Sequence, residues 1–171
     1  MSYLFPLSNG SELGVVSAGA NITIANGVVS SSGSGGGISE PWDIQLSANG
    51  TTLYQINNFA SRYYRSGDLV VCMFNIEITG TPAGHHTKKL SIVNLPFSGV
   101  GTAASGAAVI SYFINMNDNI DYISGTVPGG TTQCELWYSS EQKKSLIPML
   151  GSAVKISSKL IGSITYFTQD V

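Results

Sequence analysis

The strongest constraint on the fold lies in residues 68–79, where every second position from 70 to 78 carries an apolar side chain. Successive side chains of a β-strand point to opposite faces, so a period of two is typical of a strand and not of a helix. The segment therefore predicts one long strand. Its buried face is predicted to contain Val70, Cys72, Phe74, Ile76 and Ile78, and its other face Asn75, Glu77 and Thr79.

The same kind of pattern continues through the chain from Trp42 onwards. A second alternating face is predicted to contain Ala108, Ile110, Tyr112, Ile114 and Met116. Clusters of glycine, proline and asparagine separate the alternating segments, as turns do. The sequence indicates about eight strands and no convincing helix. The predicted fold class is all-β: an antiparallel β-sandwich, jelly-roll-like, with an N-terminal arm.

The amino-acid composition excludes some classes of binding partner. Only 11% of the 171 residues are charged, the net charge is −2, and 43% are hydrophobic. Disordered chains are rich in charge and poor in aliphatic residues, so a folded domain is expected. The sequence has no basic cluster for nucleic acid or anionic lipid, and no apolar run approaches the ~18 residues of a membrane span. We therefore expect no nucleic-acid partner, no membrane partner and, because the N-terminus lacks a basic segment, no signal peptide.

Residues 1–40 predict an arm ahead of a sandwich domain at residues 41–171. Residues 30–37 contain only serine and glycine, a composition typical of a flexible linker. The pair Asn26-Gly27 favours the two-residue turn of a β-hairpin. Large apolar residues near a chain end indicate an anchoring arm, and a first strand packed on the domain's own core is the alternative. The candidate partner-binding residues are Tyr3, Leu4, Phe5, Leu7, Ile22, Ile24, Val28 and Val29.

The motifs that could carry chemistry are weak. His85 and His86 are adjacent in a loop, where they are expected to be solvated and to point to opposite sides. Residues 117–121 begin like a calcium loop, but Tyr122 stands where that loop needs glycine, so a tight turn is the better interpretation. The glycine-rich residues 99–106 lack the Gly-Lys-Ser/Thr of a phosphate loop. We therefore predict no catalytic residue, no metal and no cofactor.

Cysteine and aromatic residues give two further expectations. Cys72 and Cys134 each fall in a predicted strand, which favours two buried thiols, with a disulfide between neighbouring strands as the alternative. Trp137 shares a strand face with Glu135, so it is predicted to point outward, where it could anchor an interface, carry a sugar or pack locally. Tyr63 is the other candidate for an interface or ligand platform.

Four short segments, taken in order, resemble a bacteriophage module. They are Trp42, residues 63–71, residues 95–97 and residues 166–168. The module has an early Trp, the pattern Y-x-R-x-G-[ND]-L-V, a long strand, an L-P-F turn, and a closing strand that ends in Y-F-T or similar. The chain resembles the β-sandwich module of capsid decoration (cement) proteins and of the distal domains of tail fibres and tailspikes. The resemblance implies a homotrimer without catalysis, in which Trp137 and Tyr63 become candidate trimer-interface residues.

The arm favours one branch of this family, because a tail fibre would carry a long fibrous shaft in its place. The leading hypothesis is a trimeric decoration protein that is made in the host bacterial cytoplasm, binds the major capsid protein and stabilises the outer capsid surface of the virion. Three arms that bind together would convert weak contacts into tight attachment. The alternative is a receptor-binding tail-fibre tip that recognises a host cell-surface polysaccharide through residues 80–87, 98–106 and 139–150.

Overall fold

A computed structural model of the chain describes residues 22–25, 28–31, 38–117, 119–141 and 143–169. The described residues are all-β and antiparallel, with one short 3₁₀ turn at Gly151–Ala153 and no α-helix. The chain divides into two compact units, Met1–Gly36 and Gly37–Val171. Among the described residues, no helix is long and apolar enough to cross a membrane.

The first unit contains a two-stranded sheet. Strand β1 (Ile22–Ala25) pairs antiparallel with β2 (Val28–Ser31), and Ala25 lies opposite Val28. This pairing carries four of the candidate contact residues, Ile22, Ile24, Val28 and Val29. The other four, Tyr3, Leu4, Phe5 and Leu7, lie outside the described residues, as does most of the Ser/Gly linker.

The second unit is a single curled sheet of eleven strands. The strands are β3 (Ile38–Pro41), β4 (Gln45–Ala48), β5 (Thr52–Leu53), β6 (Gln55–Ser66), β7 (Leu69–Gly80), β8 (Leu90–Val93), β9 (Ala104–Ile114), β10 (Tyr122–Pro128), β11 (Gln133–Ser140), β12 (Lys143–Pro148) and β13 (Lys159–Phe167). Their spatial order is β3-β6-β7-β13-β9-β10-β11-β8-β4-β5, and β12 pairs with β11 beyond β8.

This architecture confirms the antiparallel all-β prediction and changes its detail. The strands form one continuous half-barrel, and not two separately bonded facing sheets, because β11 pairs with β10 along one edge and with both β8 and β12 along the other. The sheet has eleven strands in place of about eight. Several of the additional strands have only two to six residues, too few for alternation to be read from sequence.

The core lies on the inner face of this curled sheet. All five residues predicted for the buried face of β7 are buried, with Val70, Cys72 and Ile76 fully enclosed. They join Leu160 of the neighbouring strand β13, and Ile92 on β8 and Leu136 on β11 from the far side of the sheet, in one hydrophobic cluster. One face of one sheet therefore supplies most of the core of the unit, and loop residues such as Trp42, Leu95 and Met149 complete it.

The second predicted face is correct at its two ends and wrong in its middle. Ala108 and Ile110 are buried and Met116 packs against the core, whereas Tyr112 and Ile114 are exposed. The register against β13 shifts between Ile161 and Gly162, so that Gly162 opposes Ile110 while Ile161 opposes Tyr112. The extra residue, Ser111, forms a bulge that reverses the alternation. Phe113 consequently packs against the core instead of its two neighbours.

Candidate interaction surface

The segments that carried the phage resemblance come together in space. Trp42 donates its indole N–H to the backbone oxygen of Asn94 over 2.6 Å, and its ring meets Phe74 edge-on at 6.3 Å. The backbone N–H of Phe97 lies 3.2 Å from the hydroxyl of Tyr166. These contacts tie the start of the second unit and the 95–97 turn to the central strands, which assigns the shared motif residues a packing role.

Tyr63 belongs to the same packed cluster. Its hydroxyl donates to the Glu40 carboxylate over 2.8 Å, and its ring lies edge-on to Phe97 at 5.5 Å. The guanidinium carbon of Arg65 sits 4.4 Å from the centre of the Phe97 ring. The hydrogen bond to Glu40, and then burial, raise the pKa of Tyr63. The ring of Tyr63 thus contacts its own domain and is half-buried.

The side of the sheet opposite the core is unusually apolar. We call this surface, formed by strands β6, β7, β13, β9, β10 and β11, the outer face. A row of directly opposed residues crosses it from β6 to β11: Arg62, Met73, Ser163, Val109, Ser124 and Trp137. Seven large apolar side chains on this face are each 43–56% exposed: Phe59, Tyr64, Met73, Val109, Tyr112, Ile114 and Tyr122.

A shallow groove of about 490 Å³ runs along the middle of the outer face. Met73, Val109 and Ile161 form its apolar lining, and Arg62 stands at its β6 end. The described residues contain one ion pair, Lys159 with Glu77 at 3.3 Å, and it lies at the β7–β13 border of this face. The same Lys159 ammonium is 5.7 Å from the centre of the Phe59 ring. Charge on the face is therefore sparse and peripheral.

Trp137 lies on the outer face, opposite Ser124 on one side and Pro148 on the other. Its strand neighbours Leu136 and Tyr138 are buried in the core, so the predicted alternation of β11 is confirmed. Trp137 itself is half-buried, and its indole N–H is enclosed without a hydrogen-bond partner among the described residues.

A second, polar groove of about 470 Å³ lies at one end of the sheet. Its polar lining comes from Ser98, Thr131, Thr132 and Gln133. Backbone hydrogen bonds fix the loops beneath it: Gly99 N–H to Thr131 O at 2.9 Å and Gly130 N–H to Gly99 O at 2.7 Å. The groove is thus preformed and offers uncharged hydrogen-bonding groups.

The histidine pair differs from its prediction. His86 is exposed, but His85 is buried, and the two ring centres are 3.9 Å apart instead of pointing to opposite sides. The loop turns back on itself, with Lys88 N–H bonded to His85 O, and the His85 ring covers Tyr54 edge-on at 5.6 Å. Its Nδ1 lies 2.6 Å from the backbone oxygen of Pro82, within hydrogen-bonding distance. His85 therefore has a packing role.

The remaining candidate groups are also used in packing. The Asn117 side-chain amide donates hydrogen bonds to the backbone oxygens of Ser152 and Val154, at 2.9 and 3.3 Å. The side chain of Asn117 therefore holds a loop in place, whereas in a calcium loop it would bind the ion. Cys72 and Cys134 are free and buried, and burial raises the pKa of each thiol to about 12. In the part of the chain that the structure describes, no three His, Cys, Asp or Glu residues converge as a metal site.

A search of protein-family models, curated proteins and solved structures found no match to this chain.

Proposed function

We propose that the protein is a structural protein of a bacteriophage virion: a homotrimeric decoration protein that binds the major capsid protein and stabilises the outer capsid surface. The observation that carries this proposal is the exposed apolar outer face of the second unit. Soluble monomers rarely expose a contiguous apolar patch of this kind, and larger patches usually mark protein interfaces. Assembly is thus the activity that the surface fits best.

The two units have different roles in this assembly. The half-barrel, which we regard as a curled form of the jelly-roll-like sandwich, forms the contacts between the three copies of the trimer. The first unit supplies the capsid contact, through the hairpin residues Ile22, Ile24, Val28 and Val29 and the apolar residues before it. Three such contacts per trimer bind at high effective concentration, so each can be weak. The protein needs no catalysis, metal or cofactor for this role.

The proposal is tested by cosedimentation with capsids of the phage that encodes the chain, stripped of the protein. The full chain is expected to bind and to raise the temperature at which the heads disrupt. A chain that lacks residues 1–29 should keep its β spectrum and cooperative melting and lose head binding. Tyr3→Ser/Leu4→Ser/Phe5→Ser should lose most of the binding too. Head binding by the truncated chain would contradict the anchoring role.

The polar groove supports a second candidate, the receptor-binding tail-fibre tip. Neutral sugars are bound by hydroxyl, amide and backbone groups in fixed positions, and Thr132 and Gln133 line the groove with a hydroxyl and an amide. A glycan array against host surface polysaccharides tests it, with Gln133→Ala and Thr132→Ala as groove variants. Specific binding that both variants abolish would favour the fibre tip over the decoration protein.

A further inference from the structure

The outer face has more exposed apolar surface than an isolated domain needs. Side chains of this size carry roughly 150–250 Å², so seven of them, each about half exposed, present on the order of 600 Å². This is the upper end of what monomers show, and it approaches the ~800 Å² that one partner contributes to a stable interface. The face is therefore large enough to hold another protein subunit.

The two charges at the ends of this face have opposite signs. Arg62 ends the cross-strand row on β6, next to Met73, and Glu135 points to the same face from β11, next to the Trp137 row. Neither forms an ion pair with any side chain that the structure describes. Five strand spacings separate β6 from β11, roughly 24 Å, so the two charges are too distant to pair within one chain.

We propose that the outer face binds a second copy of this chain head to tail, with Arg62 of one copy against Glu135 of the next. A contact between two different ends of one face generates a ring, and the apolar centre, Met73 and Val109, then faces the axis. Opposite charges at the two ends disfavour parallel superposition, which would oppose like charges, and an assembly of three copies requires the head-to-tail contact in place of a two-fold pair. The proposal rests on the homotrimer of the proposed function and names its contact surface.

The first experiment places a charge in the centre of the face. Val109→Asp should convert the trimer to a monomer in light scattering at micromolar concentration, since an unpaired carboxylate would be desolvated there. The matched control is Leu53→Asp, which lies on β5 at the far edge of the sheet and is 48% exposed, against 52% for Val109. The control should remain a trimer. Met73→Lys is the second variant, and circular dichroism and melting verify that each chain is folded.

The second experiment exchanges the charges. Arg62→Glu and Glu135→Arg should each weaken assembly about tenfold or more, because each places like charges at every contact of the ring. The double variant Arg62→Glu/Glu135→Arg should restore it. An equimolar mixture of the two single variants should recover only in part, because every mixed ring of three has two matched contacts and one contact between like charges. Full recovery of assembly in the mixture would instead show a two-fold dimer, in which both contacts are matched, and overturn the head-to-tail ring.

The outcomes separate this inference from the proposed function. A wild-type chain that is monomeric overturns the surface and the homotrimer together. If the chain stays a trimer with Val109→Asp and with Met73→Lys, or if Leu53→Asp dissociates it as fully as they do, the outer face is not the contact surface, and the homotrimer itself still stands. A double charge exchange that restores nothing overturns the Arg62–Glu135 contact. A trimer that breaks as expected but does not bind phage heads supports the surface and overturns the decoration role.

Discussion

The inner and outer faces of β7 are made by the same strand and follow different rules. Inside, Cys72 and Ile76 are fully enclosed and belong to one hydrophobic cluster with residues from the far side of the half-barrel. Outside, Met73 is also apolar, yet it is exposed. An antiparallel strand with one solvated face usually carries polar side chains there. The comparison teaches that folding accounts for the inner residues, whereas the outer residues need a second explanation, which the proposed association would supply.

The largest expected difference comes from shortening one side chain on each face. Ile76→Ala should lower the free energy of unfolding by about 2–5 kcal/mol, because it leaves a cavity in a packed core. Met73→Ala should change it by no more than about 0.5 kcal/mol when measured on the monomeric Val109→Asp background. Urea denaturation of both variants makes the measurement. Equal losses would break the distinction between the faces.

A smaller difference is expected from adding one methyl group. Gly162 lies on the inner side of β13, where a Cβ would come 2.5 Å from the backbone oxygen of Val109. Backbone atoms cannot yield as a flexible side chain can, so Gly162→Ala should cost roughly 1–3 kcal/mol. The neighbouring outer-face change, Ser163→Ala, should stay within about 0.5 kcal/mol by the same denaturation assay. A tolerated Gly162→Ala would mean that the bulge can move.

Alkaline pH should act on the inner face through its thiols. The pKa of Cys72 and of Cys134 rises from 9 to about 12 on burial, so the folded chain keeps both protonated while the unfolded chain releases its protons. Stability is complete below pH about 9 and falls between pH about 9 and about 12, by on the order of 1 kcal/mol per thiol at pH 10. Tyr54, raised from 10 to about 12, adds to the fall above pH 10.

The check is the urea midpoint at pH 7 and pH 10. Cys72→Ala/Cys134→Ala has a lower midpoint at both values, since two buried groups are truncated, but it should show less of the alkaline decrease. A decrease of the same size in this variant would assign the effect to other groups.

The smallest difference should separate the two tryptophans. Trp42→Phe keeps the ring beside Phe74 and loses the 2.6 Å hydrogen bond to Asn94, at a cost of about 1 kcal/mol plus the lost contact area. Trp137→Phe removes an N–H that has no described partner, so it should cost less. Thermal melting of the two variants compares them directly, and a larger loss at Trp137 would reverse the order.

The sequence predicted the features that depend on local alternation. The buried face of β7 and the opposite orientations of Trp137 and Tyr138 are both correct, because the period of two is uninterrupted in those strands. Alternation failed at Tyr112, since a bulge depends on hydrogen bonds to β13, about fifty residues away in the chain. The burial of His85 depends in the same way on Tyr54 from another strand.

The outer face was harder still to predict from sequence. Its residues come from six strands, and they form one surface only because of the spatial order of those strands, which spacing does not reveal. Trp137 alone had a readable signal, as a large aromatic residue on the same side as a glutamate. Val109 and Met73 look like ordinary strand residues in the sequence, and their exposure follows from register against β13 and β7.

The central place of β13 affects how the protein is made. This strand ends at Phe167 yet separates β7 from β9, which are both translated much earlier. At ~5–20 residues per second, the ribosome needs on the order of ten seconds to add the residues from the end of β7 to the end of β13. During that time the apolar face of β7 lacks the packing partners on β13, and the edge of β7 that pairs with β13 has no hydrogen-bonded neighbour. A chain that stopped just before Lys159 would keep the pairings of β6 with β7 and of β9 with β10, but it would have no strand to join these two parts of the sheet.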